Sequence, residues 1–202
     1  MSVFDNLDSV MEDVENDLEE KDAVREVAMK TCRQIVRLSS DLIYALHQKS
    51  SDRSIVEGFR ELRSRVTEVN TILHGHHEVY YSGFVEGAMQ EYVEAMLLRA
   101  AIAGGDMPSH SQLKVNSSTY ALGLADLIGE LRRSALDCMI EGDVRSASSW
   151  VDEMEKLYRA LSRLHFPGKV VEIKRKQDVA RSLLDRTRGE LAVTVASRAT
   201  KR

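Results

Sequence analysis

The chain has 202 residues, of which 43% are hydrophobic and 30% are charged, and its formal net charge is −4. This balance excludes a disordered chain and favours a globular protein with one domain over residues 1–202. Only two cysteines occur, and neither lies in a CxxC pair, so a disulfide framework and a cysteine zinc site are excluded. No apolar run approaches the ~18 residues that cross a membrane, and the acidic N-terminus is unlike a signal peptide. We therefore expect a cytoplasmic protein that has no membrane partner.

Residues that favour turns and strands are scarce along the whole chain. There are 11 glycines and 2 prolines, and aromatic residues make up 5% of the sequence. Such a composition favours helices. The sequence therefore predicts an all-α fold. Together with the periodicity and the stop signals along the chain, it predicts a single-domain antiparallel bundle of about seven helices.

An acidic segment at about residues 1–22 precedes two helices that have coiled-coil-like seams. Apolar residues recur every three or four positions from Val24 to Ala45, and again from Ile55 to Leu73. The stretch His74-Gly75-His76-His77 then indicates a bend or a helix end. These histidines could bind metal, contact phosphate or simply face solvent at the helix end.

The later helices are separated by clear stop and cap signals. Gly104-Gly105 stops one helix, while Asn116 and Asp143 can each cap the next. The predicted helices run over approximately 79–103, 108–114, 120–142, 144–161 and 170–197.

Two pairs of carboxylates stand on the most apolar of these helices. Residues three apart in a helix lie about 60° apart around its axis, and residues four apart about 40°. Glu91 therefore projects with Glu94, and Asp126 with Glu130. If the two helices pack face to face, four like charges must either raise their pKa values or bind a cation. Hard oxygen ligands suit Mg²⁺, Mn²⁺ or Ca²⁺.

Salt bridges with arginines would explain the same spacing. Glu130 could pair with Arg133 one turn away, and Glu94 with an arginine of another helix. A di-iron bundle is a third reading, but the ExxH motifs that it requires are absent. Spacing alone leaves the metal site and the salt-bridge network equally open.

The chain becomes basic from Lys169 onward. A basic helix can contact phosphates, but it can also be a solvated helix face, because a nucleic-acid footprint requires charges that cluster in space. The physical candidates for nucleic-acid contact are His74, His76, His77, Arg132, Arg133, Lys174, Arg175 and Lys176.

Two motifs resemble the translin family, and within it the branch of translin-associated factor X (TRAX). They are Gln90-Glu91-Tyr92-Val93-Glu94-Ala95 and the stretch from Tyr120 to Arg133. The Gly142-Asp143 turn and the stretch from Arg181 to Gly189 also fit. The resemblance covers about Val24 to Leu191, and the compact chain looks like an archaeal homologue that assembles with itself.

This resemblance implies a translin-like fold of seven helices that assembles into a closed, hollow oligomer, commonly an octamer. In the TRAX branch the subunit is a Mg²⁺-dependent endoribonuclease that cuts nucleic acid inside the shell. Carried over by motif, the implied metal-binding and catalytic residues are Glu91, Glu94, Asp126 and Glu130.

The sequence thus predicts a metal-dependent endoribonuclease acting on single-stranded or short structured RNA, with Mg²⁺ or Mn²⁺ as its cofactor. The alternative is a non-catalytic, translin-like oligomer that binds RNA or single-stranded DNA and whose acids pair with arginines. A purely structural helical oligomer is a third hypothesis.

Overall fold

The computed structural model describes residues 4–49 and 53–199, and the regular structure within these ranges is entirely helical. Six helices are long and two have a single turn, which confirms the predicted all-α fold. In chain order they are α1 (Leu7–His47), α2 (Arg53–Ile72), α3 (His77–Tyr80), α4 (Gly83–Ala103), α5 (His110–Leu113), α6 (Ser117–Glu141), α7 (Val144–Leu161) and α8 (Ile173–Ala199).

Helices α4 and α6 form the centre of the bundle. Helix α1 packs against α2 and α4, α4 packs against α6, and α6 packs against α7 and α8. Helix α4 is apolar around most of its circumference, as is typical of a helix enclosed by others. Its buried residues are Val85, Ala88, Met89, Tyr92, Val93, Ala95, Met96, Leu97 and Leu98. Glu91 and Glu94 therefore belong to the most enclosed helix of the fold.

The helix ends follow the local signals in the sequence. The side chains of Asn116 and Asp143 each accept a hydrogen bond from the amide N–H three residues further on, at 2.7 and 3.0 Å. Gly104 and Gly142 have φ values of 66° and 79°, the left-handed conformation that commonly ends a helix. The predicted ends of α4 and α6 and the predicted caps of α6 and α7 are confirmed.

The structure has one more short helix than the sequence predicts. The helix expected from Val79 is divided into α3 and α4, because the backbone of Ser82 is extended, with ψ of 145°. The Ser82 hydroxyl donates a hydrogen bond to the Val79 carbonyl at 2.5 Å, which holds the turn between the two helices.

Helix α1 begins at Leu7, well before the predicted start at Val24. We call residues 7–20 the acidic extension; all of their side chains are exposed. Glutamate, leucine and methionine are strong helix formers, so this segment is helical although it buries no face. None of the described helices is both long and apolar enough to span a lipid bilayer.

Candidate active site

All four predicted carboxylates line one cleft between α4, α6 and α8. The cleft has a volume of about 480 Å³. Helix α4 contributes Glu91 and Glu94, and helix α6 contributes Asp126 and Glu130. Helix α8 adds Lys176 to the same wall. The two acidic helices therefore face each other, as the metal-site interpretation requires.

A glycine allows these two helices to approach closely. A Cβ atom on Gly123 would lie 2.8 Å from the side chain of Val93 and 2.9 Å from the carbonyl oxygen of Gln90. Such distances are far below ordinary van der Waals contact, so a larger residue would push α6 away from α4. Asp126 lies one turn after Gly123, which places its carboxylate beside the acids of α4.

Burial and mutual repulsion alter the acidity of the α4 carboxyls. Burial is the largest cause that raises the pKa of Glu94, and the negative charges of Asp126, Glu130 and Glu91 add to it. Together they raise this pKa from its usual 4.5 to about 8. Burial and the charge of Asp126 also raise the pKa of Glu91. The nearby Lys176 opposes both shifts. Glu94 is therefore largely protonated at neutral pH unless a cation compensates its charge.

Lys176 forms an ion pair with Asp126. Its Nζ lies 2.5 Å from the carboxylate of Asp126 and donates to both oxygens. An ion pair of the kind that the salt-bridge interpretation requires is thus present at Asp126, but its partner is a lysine of α8 and not an arginine. The same lysine was a sequence candidate for nucleic-acid contact.

His47 also contacts the site, although no motif in the sequence points to it. Its Nε2 lies 2.5 Å from Oε2 of Glu130, and only 3% of its side chain is exposed. It is the last residue of α1, where the carbonyl groups of the helix end favour positive charge. Glu130 therefore pairs with a histidine of α1, and the suggested pair with Arg133 is not formed.

The carboxylates are not gathered into a closed set of ligands. Within residues 4–49 and 53–199, no three His, Cys, Asp or Glu side chains are close enough together to hold a metal ion. Two of the four acids already have protein partners, because Asp126 pairs with Lys176 and Glu130 pairs with His47. The donor chemistry still fits Mg²⁺ or Mn²⁺, because all four groups are hard oxygen ligands and a cation would relieve the charge repulsion at Glu94.

Three of the predicted nucleic-acid residues on α6 and α8 lie away from the cleft. Arg132 donates to both carboxylate oxygens of Glu190, at 2.7 and 3.0 Å, and to the Thr187 hydroxyl at 2.6 Å. Its guanidinium thus ties α6 to α8. Arg133 is exposed, and Lys174 pairs with Asp178 at 2.8 Å on the outer face of α8.

The predicted histidine cluster lies beside α1. His76 Nε2 is 4.0 Å from the carboxylate of Glu20, while His74 and His77 are exposed. None of the three lines the carboxylate cleft. Arg175, by contrast, lines a pocket that adjoins the cleft.

Comparison with known proteins places this architecture in a family. Residues 23–187 match the model of the Translin family. The chain belongs to the translin family. Among its relatives, it is 30% identical to the uncharacterized protein MJ0175 of Methanocaldococcus jannaschii over 181 residues, which are 89% of this chain and 80% of that protein. It is 26% identical to the translin-associated protein X homolog of Schizosaccharomyces pombe over 204 residues, covering 93% of this chain and 87% of that protein.

Solved structures of the translin-family fold agree. The crystal structure of AfC3PO is 30% identical, covers 94% of this chain and 98% of its own, and superposes with a TM-score of 0.84. AfC3PO has also been solved in complex with duplex RNA, with a TM-score of 0.77 at the same identity and coverage. The apo-NeC3PO structure shares the fold at 23% identity, with a TM-score of 0.79 over 96% of this chain and 100% of its own. The predicted translin-family, TRAX-like assignment with archaeal relatives is confirmed.

Proposed function

We propose that this protein is a metal-dependent endoribonuclease that cleaves RNA at the carboxylate cleft, within a hollow oligomer of identical subunits. The observation that carries the proposal is the convergence of Glu91, Glu94, Asp126 and Glu130 on one cleft, together with the raised pKa of Glu94. An isolated salt-bridge network would not need two carboxyls whose charge is opposed by burial and by their neighbours.

The relatives support RNA as the ligand. AfC3PO, which is 30% identical, has been solved with duplex RNA. Single-stranded or short structured RNA is the proposed substrate, and single-stranded DNA is a secondary ligand. The translin-family resemblance supports a homo-oligomer, for which we propose eight subunits.

The four carboxylates would hold Mg²⁺ or Mn²⁺. When bound, such an ion supplies an activated water and neutralises charge that develops on the phosphate. Glu94 can exchange a proton near neutral pH, because burial and the neighbouring carboxylates raise its pKa to about 8. Burial also raises the pKa of Glu91, which is the second candidate for the base. The Lys176 ammonium, which borders the cleft, can contact a phosphate oxygen of the RNA.

One observation favours a second candidate function. Asp126 is already paired with Lys176, and the described residues contain no group of three potential ligands within reach of one metal ion. A non-catalytic RNA-binding or single-stranded DNA-binding oligomer would account for this arrangement. It would bind nucleic acid in a salt-sensitive manner without metal-dependent cleavage.

Cleavage of end-labelled RNA in Mg²⁺ separates the two functions. Glu94→Ala and Asp126→Ala should each reduce the rate by about 100-fold or more, because each removes a carboxylate that the reaction uses. Asp152→Ala is the matched control, since Asp152 is exposed on α7 and outside the cleft. Size-exclusion chromatography must show the same assembly for all variants. Wild-type cleavage rates in both cleft variants would refute the nuclease, and binding without any cleavage would establish the alternative.

A further inference from the structure

A second pocket opens directly beside the carboxylate cleft and shares Gln90 and Lys176 with it. We call it the flanking pocket; its volume is about 590 Å³. Its walls come from the turn before α4, the first turns of α4 and α6, and the segment 168–176 that leads into α8. This volume is within the range of sites that bind small ligands.

Three cations and an aromatic ring line the flanking pocket. The cations are Lys169, Arg175 and Lys176, and the ring belongs to Tyr81. Tyr81 is 71% exposed. It is held edge-on against Tyr80, with ring centroids 5.2 Å apart and an interplanar angle of 80°. Proteins that bind single-stranded nucleic acid combine such cations with exposed aromatic rings on which bases stack.

The charge of the pocket is balanced rather than strongly positive. Glu86 and Glu172 also line it, and Lys176 already pairs with Asp126 of the neighbouring cleft, so its three cations stand against three carboxylates. A simple anion such as free phosphate gains little from this set. A nucleotide matches it better, because its phosphate can bind the cations while its hydroxyl or amino groups donate to the carboxylates.

We propose that the flanking pocket binds the RNA nucleotide next to the phosphate that is cleaved. Its phosphate contacts Arg175 and Lys176, and its base stacks on Tyr81. The strand then enters the carboxylate cleft past Lys176, the residue that borders both spaces. This inference rests on the proposed function, because it assigns a nucleotide position relative to the cleavage site.

RNA affinity measured without metal tests the pocket independently of catalysis. Fluorescence anisotropy with a labelled single-stranded RNA in EDTA would compare wild type with Arg175→Ala, Tyr81→Ala and Tyr81→Phe. Loss of a stacking ring or a phosphate contact should weaken the Kd by about 10-fold, while Tyr81→Phe should restore it, because the phenyl ring still stacks.

Arg181→Ala is the matched control. Arg181 is an exposed arginine of the same helix, but its Nε lies 3.8 Å from Asp185 and it does not line the flanking pocket. Its replacement should leave the Kd within about two-fold of wild type, since it removes only a distant surface charge. If Arg175→Ala and Arg181→Ala weakened RNA binding equally, the proposed nucleotide pocket would be refuted, and the result would indicate general attraction of RNA to a basic surface. Unchanged affinity in Arg175→Ala and Tyr81→Ala would also overturn it.

Cleavage mapping separates failure of the pocket from failure of the nuclease. An abasic nucleotide placed at successive positions of the RNA should suppress cleavage most strongly at the adjoining bond, and this suppression should vanish in Tyr81→Ala. If metal-dependent cleavage did not depend on the position of the abasic nucleotide, the nucleotide pocket would be refuted, while the proposed nuclease activity would still hold. Affinity losses confined to Tyr81→Ala and Arg175→Ala, with no cleavage by wild type, would support a nucleotide pocket and refute the nuclease.

Discussion

The buried carboxyl of Glu94 should make the metal-free protein lose stability as the pH rises. Its pKa in the folded protein is about 8, against a usual value of 4.5. Between these values the folded state keeps the proton, whereas the unfolded chain releases it. Unfolding is therefore favoured by each increase in pH within this window, and the free energy of unfolding falls by up to about 1.4 kcal/mol per pH unit.

Over the full interval between these two pKa values, the free energy of unfolding would fall by at most roughly 5 kcal/mol. Glu94 is only partly enclosed by the protein, so water and the nearby Lys176 can lessen the loss. We expect a loss of about 2–3 kcal/mol between about pH 5 and about pH 8.5. Glu94→Gln keeps the shape of the side chain but carries no titrating proton, so it should remove this part of the pH dependence.

The assay is urea unfolding in EDTA at one fixed protein concentration, across that pH range. Wild type and Glu94→Gln should be similar at the acidic end, and the variant should be the more stable protein at the alkaline end. Asp152→Asn, which changes an exposed carboxylate on α7, should follow the wild-type profile. Parallel pH profiles for wild type and Glu94→Gln would refute the reasoning.

Two further predictions concern the packing around the cleft. Gly123→Ala should lower the free energy of unfolding by about 1–3 kcal/mol, because the new Cβ would overlap α4. Gly129→Ala in the same helix is the control, because a Cβ at Gly129 would have no atom within 4 Å. It should leave the free energy of unfolding unchanged or raise it in the same urea titration. Equal losses of stability in the two variants would contradict the steric argument. His47→Ala should weaken Mn²⁺ binding by about 10-fold to 100-fold in titration calorimetry, because Glu130 loses the group that orients it. Lys49→Ala is the control, because it removes a surface ion pair between the end of α1 and α6. It should leave the Mn²⁺ affinity unchanged. If it weakened Mn²⁺ binding as much as His47→Ala, the effect would come from the packing of α1 against α6 and not from the orientation of Glu130.

Features that depend on local chemistry could be predicted from the sequence. Asn116 and Asp143 cap helices because a short polar side chain reaches an amide N–H three residues ahead, wherever the helix lies in the fold. Gly104 and Gly142 end helices for an equally local reason. Helical spacing likewise placed Glu91 with Glu94 and Asp126 with Glu130, because each pair shares one helix.

Contacts between distant parts of the chain could not be predicted from spacing. His47 and Glu130 are 83 residues apart, and Lys176 and Asp126 are 50 apart. Their meeting depends on how α1, α6 and α8 pack, which no single periodicity contains. A lone histidine at a helix end carries no spacing signal either. The early start of α1, by contrast, has a signal in the sequence, because an apolar stripe at helical spacing precedes Val24. It consists of Leu7, Val10, Met11, Val14 and Leu18, which are all exposed in the structure.

The acidic extension of α1 has a consequence for hydrogen exchange. Its backbone is helical from Leu7, but the side chains of residues 7–20 are exposed, and the contact of Glu20 with His76 lies at the C-terminal end of this segment. A helix of this length is only marginally stable by itself, so its amide protons in an isolated subunit should exchange far faster than those of α4. Slow exchange in residues 7–20 would therefore report directly that another molecule covers this part of the chain.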